Sequence, residues 1–311
     1  MNENEMPKTL QEAIRYFSND EICIGFLASL RWENGIATCP KCKGQETSFL
    51  KTRKIWKCKG CKKQFSVKVG TIFEGSNISL DKWLCAMWLI CNAKNGISSY
   101  EIHRSIGITQ KSAWFVLHRI RVAMQTGSFE KLSGEVECDE TFVGGLSKNM
   151  HKSRREAKIK GRGSVGKTAV MGMLERKGNV RAKVIEKVDR ETLHGEVKDN
   201  VETGANLFTD EWRSYNGLDS DYVHEVINHS VEYVRGNVHT NGIENFWTLL
   251  KRSIKGTYVS VEPFHLNKYV DEQVFRYNER KGNDKDRFVK AVGQIVGKRL
   301  KYDELIGDCL P

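Results

Sequence analysis

Two CxxC pairs, Cys39/Cys42 and Cys58/Cys61, lie fifteen residues apart in "CPKCKGQETSFLKTRKIWKCKGCKKQF". Each CxxC turn presents two thiolates to one tetrahedral ion, and short strands between the turns bring them together. The span is rich in Lys, Gly, Gln and Thr, so it has little apolar material with which to build a core. Metal binding must then supply much of its folding energy, roughly 10–16 kcal/mol in comparable peptides. The spacing therefore predicts a four-cysteine zinc ribbon holding a structural Zn2+ through Cys39, Cys42, Cys58 and Cys61. The chain has nine cysteines in 311 residues, and the other five (Cys23, Cys85, Cys91, Cys138 and Cys309) are scattered. That usage fits a reducing cytoplasm and not a disulfide framework. The opening "MNENEMPKTLQEAIRYF" lacks a secretory hydrophobic core, and no apolar run approaches the length of a membrane span. A cytoplasmic protein with no membrane partner is expected.

Around the cysteines the pattern is helical. Residues 8 to 31 read as one or two short helices with Ile14, Phe17, Cys23, Phe26, Leu27 and Leu30 on the apolar face. "SLDKWLCAMWLICNAKNG" has a Ser79 N-cap candidate, an apolar face and a glycine stop. "ISSYEIHRSIGITQKSAWFVLHRIRVAM" reads as helix, glycine turn, helix, which is the arithmetic of a helix-turn-helix. Lys111 sits at the exposed start of its second helix. His103 and His118 read as surface or capping residues. Past about residue 133 strands take over: "GEVECDETFVGG", a hairpin turning at Lys177-Gly178-Asn179, and "ANLFTDEW". Between the first two lies "KNMHKSRREAKIKGRGSVGKT", with eight Lys or Arg against one Glu. With a net charge of +11 for the whole chain, this run fits an arm that orders on a phosphate backbone.

Three acids stand out in this second half. In the first strand, alternation puts Val136 and Cys138 on one face and Glu137 and Asp139 on the other. Asp210 ends a later strand, and Glu244 lies in the helical stretch "VHTNGIENFWTLLKR". Lys251 follows Glu244 by seven residues, about two turns at roughly 3.6 residues per turn, so both project from one face. Carboxylates from two strands and a helix converge only if the sheet is mixed and the helix crosses it. A converged triad would repel itself unless divalent cations neutralised it. Two Mg2+ ions about 4 Å apart could then polarise a phosphate and activate an attacking oxygen.

These blocks together resemble the bacterial insertion-sequence transposases that carry an N-terminal zinc ribbon and an RNase H-like DDE domain, the ISXO type. "RWENGIATCPKC" with "CKGCKKQFSVKVGTIFEGSNISLDKW" is similar to the family's ribbon module. "VECDETFVGG", "LFTDEWRSYNGL" and "HTNGIENFWTLLKRSIKGTY" are similar to its three acidic blocks, followed by "FRYNER". The resemblance implies a multidomain chain: helices and ribbon over 1–75, a helix-turn-helix segment over 76–130, an α/β catalytic domain with a mixed sheet over 131–285, and a C-terminal helix or tail over 286–311. It implies metal-dependent DNA cleavage and strand transfer by Asp139, Asp210 and Glu244 with Mg2+, for which Mn2+ can substitute. Double-stranded DNA is the expected partner, bound by a homodimer or higher multimer, with Lys111, Lys152, Arg154, Arg155, Lys158, Lys160, Arg162, Lys251 and Arg252 as contacts. Asn241, one turn before Glu244, is the competing third ligand, since some relatives use an amide there. Val259 stands where the family often has His. A non-catalytic DNA-binding regulator, or a degenerate transposase copy, is the competing function. A plain RNase H-like nuclease would have no need of the ribbon and helical reader.

Overall fold

The computed structural model describes residues 6–32, 35–125, 130–145, 151–158, 165–227 and 238–307. The chain divides into two compact units, one formed by 1–125 with 279–311 and the other by 126–278. No helix among the described residues is long and apolar enough to cross a membrane.

The first unit opens with two short helices, α1 (Leu10–Tyr16) and α2 (Asp20–Arg31). Thr9 and Glu12 form a reciprocal capping box on α1, and the Asn19 side chain caps α2, satisfying amides that a helix start leaves open. The ribbon follows as an antiparallel sheet of β1 (Thr47–Leu50), β2 (Ile55–Cys58) and β3 (Gln64–Phe65). Next comes α3 (Leu80–Asn92), which starts after Ser79 as the sequence suggests, but with no amide donating to the serine side chain.

The helix-turn-helix arithmetic corresponds to α4 (Ser99–Ile106) and α5 (Gln110–Met124). Gly107 closes α4 at φ 63°, ψ 53°, a left-handed cap that glycine adopts without a Cβ penalty. Thr109 caps α5 by accepting from the Ser112 amide. His103 ties the end of α4 to the Ile108 carbonyl, whereas His118 is fully buried beside Trp114, not at the surface.

The C-terminal segment completes this unit. Its helix α10 (Asp284–Gly293) carries Phe288, Ala291 and Val292 at i, i+3 and i+4, all fully buried. The Phe288 ring lies 5.6 Å from Phe17, 5.9 Å from Phe26 and 5.0 Å from Trp88, centroid to centroid. Arg287 and Asp284 add hydrogen bonds to Asn92. The last helix, α11 (Tyr302–Ile306), sets the Tyr302 ring 5.8 Å from Phe115 on α5. The boundary drawn at residue 286 therefore falls inside a helix of the first unit.

The second unit is a five-stranded mixed sheet in the order β6 (Val180–Ile185), β5 (Thr168–Glu175), β4 (Glu135–Val143), β7 (Asn206–Asp210), β8 (Val223–Ile227). The β4–β5 and β5–β6 pairs are antiparallel, while β4–β7 and β7–β8 are parallel. A parallel pair needs a crossover, and α7 (Arg190–Asn200) provides it between β6 and β7. Alternation along β4 gives the sheet two distinct faces. Val136 and Cys138 join a core with Leu193 and Val197 of α7. On the opposite face α8 (Asn241–Arg252) and α9 (Pro263–Asn278) bury Ile243, Phe246, Trp247, Leu250 and Val270 against Val170 and Leu174. This is the mixed-sheet α/β domain expected from the acidic blocks.

If α10 belongs to the first unit's core, Phe288→Ala should cost about 3–5 kcal/mol, as truncating a buried aromatic does. Denaturant unfolding should show the loss, and limited proteolysis should cut the C-terminal segment faster. A variant as stable and as protease-resistant as the parent would make the segment a peripheral tail.

Candidate active site and zinc centre

The four ribbon cysteines come together as their spacing requires. Their sulfurs all lie within 4.8 Å of one another, with Cys39 to Cys61 at 3.6 Å and Cys42 to Cys58 at 3.5 Å. Tetrahedral Zn–S bonds of about 2.3 Å separate ligand sulfurs by about 3.8 Å, so these distances suit zinc. The two CxxC turns are built alike. The residue after each second cysteine, Lys43 or Lys62, takes a positive φ of 60°. Amides inside each turn point at the first sulfur, from Cys42 and Lys41 to Cys39 and from Cys61 and Gly60 to Cys58. These amide donors hold Cys39 near pH 7 and lower Cys58, favouring the thiolates that bind metal.

In the second unit the acidic residues are placed by the sheet and α8. The β4–β7 pairing ends at Glu137 and Phe208; Asp139 and Asp210 each lie two residues beyond it, close enough for the Asp210 charge to act on Asp139. Trp247 of α8 donates its indole N–H to Asp139 Oδ2 at 2.9 Å, and the Glu140 amide donates to Oδ1 at 2.8 Å. Burial raises the Asp139 carboxyl to about 6, and the charges of Asp210 and Glu244 push in the same direction. Asp210 also accepts from the Trp212 amide, and Glu244 accepts from the Thr240 hydroxyl one turn earlier. The three acids thus face one another electrostatically but are not drawn into one tight cluster. Among the described residues, the cysteines form the only His/Cys/Asp/Glu group that close.

Lys251 lies on the same side. Burial lowers its pKa, the Asp139 carboxylate opposes that shift, and Lys255 and Lys167 add repulsion. Seven residues of helix therefore bring both Glu244 and Lys251 toward Asp139, with Trp247 between them. Arg252, by contrast, is exposed. Asn241 is the exposed first residue of α8. Val259 is 78 % exposed at φ 63°, ψ −55°, a costly conformation for a β-branched residue, after the π-helical turn Ser253–Tyr258.

Glu140 feels the charges of Asp139 and Asp210 but points to the other face of β4, and Glu211 lies beyond the end of β7. The Glu140 carboxylate accepts from the Tyr215 hydroxyl in the α7-side core and is pushed up to about 8 by burial. Glu211 is exposed. Strand alternation along β4 puts Glu140 on the face opposite Asp139.

Two residues that frame the site were not singled out from sequence. Glu137, 1 % exposed, accepts from the Ile243 amide at 2.9 Å and from Arg176 Nε at 2.9 Å, with His239 Nδ1 at 3.3 Å. It caps α8 from the neighbouring strand, a task the Thr240 side chain does not perform. Gly172, which pairs with Asp139 across β4–β5, underlies the Trp247 ring: a Cβ there would lie 2.6 Å from it. A lone glycine inside a strand signals close approach of another group, and that signal was readable in "TAVMGMLE".

Of the basic residues, Lys111 is exposed at the start of α5, its ammonium 5.1 Å from the Tyr302 ring. Lys152 and Arg155 are exposed on the short helix α6 (Lys152–Lys158). Lys160 and Arg162, and the side chains of Arg154 and Lys158, lie outside the described residues.

The fold and these two centres define a zinc-ribbon protein joined to an α/β domain with acids at its sheet–helix junction. Residues 131–278, which coincide with the second unit, match the ISXO2-like transposase domain, and residues 18–64 match the transposase zinc-ribbon domain. The chain belongs to the ISXO2-like transposase family. It is 27% identical over 252 residues to an uncharacterised protein of transposable element ISH50 from Halobacterium salinarum, covering 77% of this chain and 84% of the relative. It is also 32% identical over 96 residues to a transposase-like protein of Haemophilus influenzae, covering 30% of this chain and 77% of that relative.

Two outcomes test these sites. Protein purified without chelators should carry about one zinc per chain, the stoichiometry of a closed four-thiolate site. Cys58→Ser should lose that zinc and the ribbon's protease resistance, so metal analysis of the two proteins decides it. Gly172→Ala should cost about 1–3 kcal/mol by overpacking against Trp247. Gly195→Ala on α7, where a Cβ meets nothing within 4 Å, should stabilise by about 0.5–1 kcal/mol. Equal denaturation midpoints for the two would mean that Trp247 is not seated as described.

Proposed function

We propose that this transposase binds the ends of its own DNA element and performs strand cleavage followed by strand transfer, using Asp139, Asp210 and Glu244 as ligands for Mg2+. The observation that carries this reading is the placement of Asp139. It feels the charges of Asp210 and Glu244 and is tied by Trp247 to the helix face that carries Glu244 and Lys251. Their oxygen donors are the chemistry Mg2+ prefers; burial raises Asp139 most, and the added repulsion from Asp210 and Glu244 is what bound divalent cations would relieve. When bound, the ions would supply charge neutralisation at the scissile phosphate and activation of the attacking oxygen.

The remaining residues position and bind. Trp247 holds Oδ2 of Asp139 and the Glu140 amide holds Oδ1, which fixes the orientation of the carboxylate. Glu137 fixes the start of α8 and so the direction in which Glu244 projects. Lys251, facing Asp139 with Lys167 and Lys255 nearby, would hold a backbone phosphate of the strand leaving the site. The helix-turn-helix, through Lys111, and the basic segment bearing Lys152 and Arg155 would bind the duplex outside the reacting centre. Cutting two ends and joining them to a target calls for two active sites, so a homodimer or larger assembly on DNA is part of the proposal.

Glu244→Gln keeps the side chain's shape but removes the charge. It should lower cleavage and strand transfer by roughly a hundredfold or more, in Mg2+ and in Mn2+, while leaving end binding within about twofold. Asn241→Ala should be milder. The measurement is cleavage of the element's flanking ends by the two variants side by side. If Glu244→Gln cuts normally and Asn241→Ala is dead, the third ligand is Asn241. Binding with no cleavage by the parent protein would favour the DNA-binding regulator instead.

A further inference from the structure

The ribbon and α2 enclose a cavity of about 310 Å³ lined by Glu21, Ile24, Gly25, Ala28, Phe49, Lys51, Lys54 and Trp56. It is remote in sequence from the acidic residues and belongs wholly to the first unit. Its wall is aromatic: Phe49 and Trp56 are cross-strand partners on β1 and β2 with ring centroids 4.7 Å apart. Trp56 in turn rests on Trp32 and Phe65, so the platform is fixed from beneath. Phe49 nevertheless remains 43 % exposed, which is costly for a ring with an aromatic cluster beside it. Opposite, Gly25 of α2 leaves the cavity open, since a Cβ there would meet nothing within 4 Å.

Charge decides what fits. From Cys39 to Lys63 the ribbon carries nine Lys or Arg residues and a single acid, Glu46. Lys51 is exposed at the rim of the cavity, whereas Lys54 is engaged by Asp20 at 2.7 Å. The one carboxylate lining the cavity, Glu21, would repel a phosphate but accept from an N–H of a heterocycle. The cavity is therefore apolar and aromatic within, hydrogen-bond accepting at one point, and cationic outside. That arrangement matches a nucleotide, with its base inside and its phosphate outside. Ligand pockets begin at roughly 300 Å³, so the volume suits one base and excludes a helix or a stacked pair.

We propose that this pocket receives a single unstacked nucleobase of the bound DNA, stacked on Phe49 and Trp56, with the adjoining phosphate held by Lys51. The inference rests on the DNA-binding reading given above and deepens it. It makes the ribbon a reader of unpaired DNA as well as a basic clamp. An aromatic platform of this kind accepts any base through its π-face, and Glu21 adds a preference for bases that present an amino group.

The test compares two probes with the full-length, zinc-loaded protein: a blunt duplex of the element's end, and the same duplex with a single-stranded extension. Phe49→Ala should weaken binding of the extended probe by roughly 5- to 100-fold, the range for one lost base stack, and leave the blunt probe within twofold. Phe49→Trp should restore it. Gly25→Leu, which fills the cavity from a helix position that favours leucine over glycine, should produce the same loss without unfolding the ribbon. Lys51→Ala should lower the log–log salt slope for the extended probe by about one unit. Ultraviolet crosslinking of an iodinated base in the extension should map to Phe49 or Trp56. If Phe49→Ala and Gly25→Leu bind the extended probe like the parent, the pocket reading is overturned while the transposase reading stands. If those variants instead dissociate a DNA-free oligomer and leave DNA binding intact, the pocket holds a second copy of the chain and the proposal is equally overturned. A parent protein that binds neither probe would sink the DNA-binding reading and this one with it.

Discussion

The catalytic-type unit depends on the seating of α8 against the sheet. Two contacts set it. The Glu137 carboxylate, rising from β4, accepts from the Ile243 amide at the first turn of the helix. One turn further on, the Trp247 ring lies over Gly172 while its N–H reaches Asp139. Contacts at both points fix the rotation of the helix about its axis relative to the sheet. Glu244 and Lys251 are then carried to the Asp139 side by helical geometry alone. The close approach at Gly172 leaves room for the ring beside the strand while its N–H reaches a carboxylate on the adjacent strand.

The same seating explains how one strand carries two acids of opposite character. Glu137 and Asp139 share a face, yet Glu137 is enclosed by Arg176, His239 and a helix start. Its charge is compensated by fixed groups, and removing a partner from such a buried pair typically costs about 3–5 kcal/mol. Asp139 has dipolar donors that lower its carboxyl, but burial, and after it the acidic neighbours, raise it on balance. One acid is thus structurally satisfied, while the other is left in a field that favours an added cation.

The first unit solves its stability problem in two ways. Its helical part uses an aromatic core that α10 completes by bringing Phe288 to Phe17, Phe26 and Trp88. The ribbon has no comparable depth and relies on its thiolates, with amides in each turn favouring the ionised form of its first cysteine. Because metal binding carries so much of the ribbon's folding, its aromatic face is not wholly consumed by packing, and Phe49 stays at the surface.

Short-range signals made much of this legible in the sequence. CxxC spacing fixes the zinc ribbon because the ligands lie within single turns. Glycine and cap residues fix α4 and α5, and alternation assigns Asp139 and Glu140 to opposite faces of β4. Seven-residue spacing puts Glu244 and Lys251 on one side of α8. What the sequence could not supply was any pairing between distant segments. The return of residues 279–311 to the N-terminal helices depends on Phe288 meeting rings more than two hundred positions away. Glu137 reads like any strand acid until Arg176 and the start of α8 arrive beside it. His118 looks like a surface histidine until α5 is packed. Local chemistry is written residue by residue, but burial and electrostatic partnership are properties of the assembled fold, and only the tertiary structure decided which carboxylate became an anchor and which was left facing other acids.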